Sequence, residues 1–229
     1  MALAPSSAAG WVSFDRPAGG WVRVESHPPG YLIAYVRPGS ALALHSRPFG
    51  RVLARVGPTT PFGSRRTLGV VSTRAGWLGV TEPGVGPNRV VWVDAHAGGL
   101  TYARTRLELV VDLSSRTLTV TRNGYVVRRM SVGVGRPGSP TPTGRYAITD
   151  KLNGHAYDSF YGCCILALSA TQPHLPPGWS GGNRVAIHGT PSPSDFGHAV
   201  SAGCVHASEA DLRYLMQLAP LGTPVVIRP

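Results

Sequence analysis

Apolar residues in the first hundred positions come in short bursts. Residues 21–25, 31–36, 51–56 and 90–93 are strand-length runs, several of them alternating apolar and polar side chains, and Gly or Pro bounds them. Short strands at this spacing predict a small barrel or sandwich. Residues 94–103, with Gly98-Gly99 at their centre, read as a linker. A second domain then opens with the run at 107–113. Residues 118–120 and 125–127 flank Asn123-Gly124, two residues that tolerate positive φ, which predicts a β-hairpin. Residues 152–182 carry few regular signals and read as a long lid, with the apolar run from Cys163 to Leu168 as core or lid packing. Near the end, Leu212, Leu215, Met216 and Ala219 fall on one helical face. Ser208 and Asp211 resemble a capping box ahead of that helix, and Pro220 stops it. The chain therefore divides into an uncertain arm or edge strand at 1–30, a β module at 31–100 and a β-rich domain at 101–229.

Composition agrees with many turns and few long helices: 229 residues include 29 Gly and 21 Pro. The net charge is +11, nearly all of it from arginine. The basic residues are dispersed, without a run or aromatic interleaving, so nucleic acid is not an expected partner. A cationic surface suits anionic envelope polymers, or simple solubility. No apolar stretch is long enough for a transmembrane helix. Residues 1–10 lack a charged, then apolar, leader pattern.

The candidate chemistry lies between Ile187-His188-Gly189-Thr190 and Ser201-Ala202-Gly203-Cys204-Val205-His206. A thiolate is a nucleophile, a nearby imidazole can take the thiol proton, and backbone N–H groups at a glycine turn can hold an oxyanion. Cys204 is the candidate nucleophile and His188 its base. Gly203 and Cys204 are the candidate oxyanion donors, and a live site predicts a thiol of depressed pKa. The N-terminus of the helix after Cys204 could help hold the thiolate. The rival base is His198, in a loop six residues before Cys204. The other cysteines, Cys163 and Cys164, are sequence neighbours, a spacing that rarely forms a disulfide. His188, His198, Cys204 and His206 lack the paired spacing of a zinc site, so no metal or other cofactor is expected.

These boxes resemble the L,D-transpeptidase (YkuD-type) catalytic domain. Val132-Gly133-Val134-Gly135, Thr141-Pro142-Thr143-Gly144-Arg145-Tyr146, Tyr161-Gly162 and the closing Gly222-Thr223-Pro224-Val225 follow the family's order over about residues 106–228. Two positions depart from it: Ala202 stands where the family has histidine and His206 where it has arginine. Residues 67–71, 76–80 and 91–93 resemble a bacterial SH3-type module. The fold expected is thus mainly β, a small SH3-like β-barrel followed by a catalytic domain with a short helix after the nucleophile. The resemblance implies that the Gly189 carbonyl orients His188, and that Ser201, His206, Tyr157 and Tyr161 contact substrate, with Phe160 and Trp179 as further lid aromatics. It implies peptidoglycan stem peptides as substrates, 3-3 cross-links through a cysteine thioester, acylation by carbapenem-type β-lactams, and a place outside the cytoplasm with an export signal outside these residues. Hydrolysis instead of transfer would make the protein an L,D-carboxypeptidase. The departures at Ala202 and His206 also allow a wall-binding protein whose catalytic domain has decayed.

Overall fold

The computed structural model describes residues 30–86 and 88–229. The predicted strand at 21–25 and the arm at 1–29 lie outside them. The first unit holds seven strands: β1 (Tyr31–Val36), β2 (Leu42–His45), β3 (Val52–Val56), β4 (Thr67–Arg74), β5 (Trp77–Thr81), β6 (Val90–Asp94) and β7 (Leu100–Thr105). They form one sheet in the order β3-β2-β6-β5-β4-β1-β7, with every pairing antiparallel. Ala34, Val36, Leu44, Leu68, Val80 and Val93 fill its core. The segment expected to be a linker ends in strand β7, which pairs with β1 along six residues. The first sheet therefore runs past residue 100, and only Arg106 separates β7 from the next strand.

The second unit contains β8 (Leu107–Asp112), β9 (Thr117–Arg122), β10 (Tyr125–Ser131), β11 (Val134–Gly135), β12 (Gly144–Asn153), β13 (Cys164–Thr171), β14 (Arg184–His188), β15 (Ala199–Ser201), β16 (Val205–His206), α1 (Glu209–Leu218) and β17 (Pro224–Arg228). Eight of these strands make a mixed sheet, β10-β9-β8-β17-β12-β13-β14-β16, and β11 pairs with β15. Parallel pairing occurs at β17–β8 and β14–β16. The β9–β10 hairpin turns on Asn123 and Gly124, both at positive φ, as the sequence predicts. Ser208 caps α1 by accepting from the Asp211 N–H, and Leu212 and Leu215 bury the predicted face.

Strand β13 runs through the segment expected to be a lid, and all eight of its residues are buried. Helix α1 packs on it, and so does the turn Pro83–Val85 of the first unit. A strand covered on both faces loses the alternation that marks a half-buried one. Cys163 and Cys164, at its start, are joined in a disulfide, which the sequence reading held to be improbable. Cys204 is the free cysteine.

The two sheets are fastened to each other. Gly69 of β4 lets the backbones close up, since a Cβ there would meet the Ala147 Cβ at 2.3 Å. The Asn88 side chain bonds both the N–H and the carbonyl of Thr171, each at 2.8 Å. Thr81 and Ser169 share a hydrogen bond of 2.6 Å, and Thr60 donates to Asp150. Asp150 is fully buried and pairs with Arg184 at 3.7 Å. In the first unit the buried Arg66–Glu82 pair closes at 2.7 Å.

Candidate active site

Strand register builds the site. In the parallel pair β14–β16, Ile187 faces Val205 and His188 faces His206. Side chains alternate along a strand, so His188 and His206 share one face, and Cys204, two residues back, shares it too. The thiol sits by the backbone of β14, with its sulfur 3.9 Å from the Arg184 carbonyl oxygen. Cys204 and His188 line one cavity of about 820 Å³.

A carbonyl can only accept, so the 2.7 Å contact between His188 Nδ1 and the Gly189 oxygen makes Nδ1 the protonated nitrogen. Nε2 is left as the basic atom. His188 is 2% exposed. Burial, and then the neighbouring His206, draw it down to about 4, against the Gly189 bond. The Tyr161 ring packs edge-on against it at 4.9 Å, and the Gly189 N–H donates to the Tyr161 carbonyl at 2.8 Å. Cys204 moves opposite to the sequence expectation. Burial pushes its thiol up to about 11, and the Ala186 N–H lowers it only in part. The resting site thus holds a neutral thiol and a neutral imidazole, and a thiolate has to be made by proton transfer rather than stored. At the start of α1 the Glu209 side chain accepts from the Cys163 N–H at 2.7 Å.

Hydrogen bonds within the turn bear on two of the expected roles. The Gly203 N–H donates to Ser201 Oγ at 3.0 Å, so it is occupied within the turn and not aimed at an oxyanion. Ser201 Oγ in turn donates to the Cys204 carbonyl at 2.6 Å, and Ser201 lines the cavity. Gly203 is needed for another reason: its φ is +120°, and a Cβ would meet Gln172 Nε2 at 2.0 Å. Gln172, buried and not foreseen from the sequence, bonds the carbonyls of Pro140 at 2.9 Å and Ala202 at 3.1 Å.

His206 lines the cavity beside His188, with ring centroids 4.9 Å apart. Its Nδ1 lies 2.7 Å from Asp195 Oδ2, which also accepts from Thr190 Oγ1 at 2.7 Å. Burial acts to raise Asp195, but the bonds from Thr190 and His206 and the His206 charge carry it below the usual carboxylate range. The Asp195 contact was not foreseen, because eleven residues and a bend separate it from His206. His198 is exposed, away from the cavity wall, with its Nδ1 3.2 Å from the Phe196 carbonyl oxygen.

Tyr157, Tyr161, Phe160 and Trp179 all reach the cavity, from the turns and loops around β13. The first unit adds Phe62, which meets Tyr157 edge-on at 6.3 Å and lies under the Arg184 guanidinium at 5.6 Å. Among the described residues no cluster of three or more metal-type ligands occurs, and no helix is long and apolar enough to cross a membrane.

A thiol just before one strand and a carbonyl-fixed imidazole at the end of its neighbour open on a cavity lined by aromatic side chains, a set of groups of the kind thiol-based acyl transfer uses. The family model for the L,D-transpeptidase catalytic domain (YkuD) matches residues 106–227, just over half of the chain, and the chain belongs to that family. YkuD of Bacillus subtilis is 29% identical over 121 residues, which are 52% of this chain and 64% of that protein. L,D-transpeptidase 1 of Mycobacterium tuberculosis is 30% identical over 127 residues, 52% of this chain and 49% of that one. The chain thus spans half to two thirds of the length of these relatives. Among solved structures, an L,D-transpeptidase from Mycobacterium smegmatis aligns at 20% identity and a TM-score of 0.44, covering 72% of this chain and 89% of the other.

Proposed function

We propose that this protein is a peptidoglycan L,D-transpeptidase that works outside the cytoplasm on stem tetrapeptides. The observation that carries the reading is that the free thiol of Cys204 lines one cavity with a base, His188, whose tautomer the Gly189 carbonyl sets. His188 Nε2 takes the thiol proton as sulfur attacks the carbonyl between the third residue and the terminal D-alanine. The oxyanion is held by the N–H of Cys204, since that of Gly203 is engaged. His188 returns the proton to the leaving D-alanine nitrogen, the C–N bond breaks, and a thioester remains. A side-chain amine of a second stem then attacks, forms the amide of a 3-3 cross-link and releases the thiol.

The cavity, with Phe62, Tyr157, Phe160 and Trp179 around it, suits an extended peptide whose carbonyl must be kept from bulk water. Carbapenem-type β-lactams would acylate the same sulfur. We read the first sheet as the SH3-like module. Its short antiparallel strands around one aliphatic core support that reading, and its attachment through Asn88, Thr81 and Gly69 makes it a wall of the enzyme as well as a module.

Incubation of the protein with a purified disaccharide-tetrapeptide, followed by mass analysis of the products, tests the reading. A dimer lacking one D-alanine is expected. Tripeptide alone would make the protein an L,D-carboxypeptidase. Unchanged tetrapeptide would overturn both and favour a wall-binding protein.

A further inference from the structure

We propose that His206 and Asp195 form a second catalytic dyad, in which His206 Nε2 removes the proton from the acceptor nucleophile that breaks the thioester. The inference rests on the transpeptidase reading above and divides its two half-reactions between two imidazoles.

The cavity presents His188 and His206 side by side, at the same level of adjacent strands. Each has Nδ1 held at 2.7 Å by an oxygen. The oxygens differ in kind: the backbone carbonyl of Gly189 for His188, a carboxylate for His206. Asp195 is kept ionised by its hydrogen bonds and can only accept, so His206 Nδ1 is the donor and Nε2 is the nitrogen left for chemistry. The Thr190 hydroxyl fixes the same carboxylate oxygen. The backbone of His206 is held by two 2.9 Å hydrogen bonds with Gly133, and its ring packs edge-on to Phe160 at 5.9 Å. His206 is 5% exposed. A buried imidazole so tightly oriented, backed by a carboxylate and opening on the substrate cavity, has the arrangement of a general base rather than of a surface ion pair.

The division suits the chemistry. Acylation needs a base at the sulfur, the role given above to His188. Deacylation needs a base for the acceptor, an amine that is a poor proton donor, and a carboxylate-backed imidazole is better able to accept that proton than a carbonyl-backed one. In this step the acceptor N–C bond forms, its proton passes to His206 Nε2, and the C–S bond breaks to give the Cys204 thiolate. The imidazolium then returns that proton to the thiolate, directly or through water. With water as acceptor the same transfers yield the tripeptide.

The test uses the full chain and the disaccharide-tetrapeptide, with quenched-flow measurement of D-alanine and intact-mass detection of the thioester. For His206→Gln the expected result is a burst of about one D-alanine per enzyme, accumulation of the thioester, and steady turnover lowered about 100-fold. Asp195→Asn, which leaves the imidazole in place, should accumulate the same thioester with turnover lowered about 10-fold. It serves as the probe if His206→Gln does not fold. Slower turnover without burst or thioester, or turnover within threefold of wild type, would overturn the dyad while leaving the transpeptidase reading intact. Absence of D-alanine release from the wild type would overturn that reading and the dyad with it.

Discussion

The cavity has two walls of different construction. One is made of strands: β14 and β16 hold Arg184, His188 and His206, the last two paired in parallel register, and Cys204 immediately precedes β16. The other is made of turns and loops, residues 154–162 and 175–183, with Phe62 reaching across from the first sheet. In the proposed mechanism the strand wall carries the proton and sulfur chemistry, where a displacement of a fraction of an ångström would be costly. The loop wall turns mainly aromatic rings to the cavity. Its Tyr157, Phe160 and Trp179 are about half exposed, whereas His188 and His206 are buried. Under the proposed function, reaction belongs to the first wall and recognition to the second.

The largest effect expected from breaking the strand wall is on stability. Arg184→Met leaves the fully buried Asp150 without its ionic partner and should cost about 3–5 kcal/mol, read from urea unfolding. A second substitution, Asp150→Asn, should recover much of that loss. His188→Gln should lower the acylation rate about 1,000-fold with little change in substrate affinity, as loss of a general base does. A uniform rise in KM would instead move His188 to the recognition wall.

His188 also links the strand wall to pH. Its value near 4 in the folded protein lies below the usual 6.5, so the unfolded chain binds the proton first as pH falls. Stability from this residue is complete above about pH 6.5 and is lost as pH drops towards 4, by about 3 kcal/mol in all. Urea midpoints of the wild type and of His188→Gln across that window should converge in acid. Parallel curves would contradict the assignment. The smallest effect belongs to the loop wall. Phe62→Ala should raise KM about 5-fold and leave kcat within about 2-fold, because an aromatic contact of this kind contributes about 1 kcal/mol to binding.

The same contrast separates what was legible in the sequence from what was not. Residues 31–36, the Asn123-Gly124 hairpin and the Ser208 cap carry their geometry in local chemistry, and the structure has a strand, a turn and a helix there. The His188–Cys204 pair was legible because the two boxes are strand ends with distinctive wording. Strand β13 was hidden because burial on both faces removed its alternation. Strand β7 was hidden behind Gly98-Gly99 in a stretch that resembled a linker. The thiol was expected to be acidic because its neighbours in sequence suggested activation, whereas its surroundings in space are apolar and uncharged enough for burial to dominate. Asp195 and Gln172 act through contacts across the fold, to His206 and to the Ala202 turn, which no local pattern encodes.

The central claim is that Cys204, activated by His188, accepts an acyl group. The most direct measurement is the intact mass of the folded, full chain after incubation with a carbapenem, beside a Cys204→Ala control. The account predicts one covalent adduct on the wild type and none on the control. A wild type that stays unmodified, or an adduct that persists in Cys204→Ala, would contradict it.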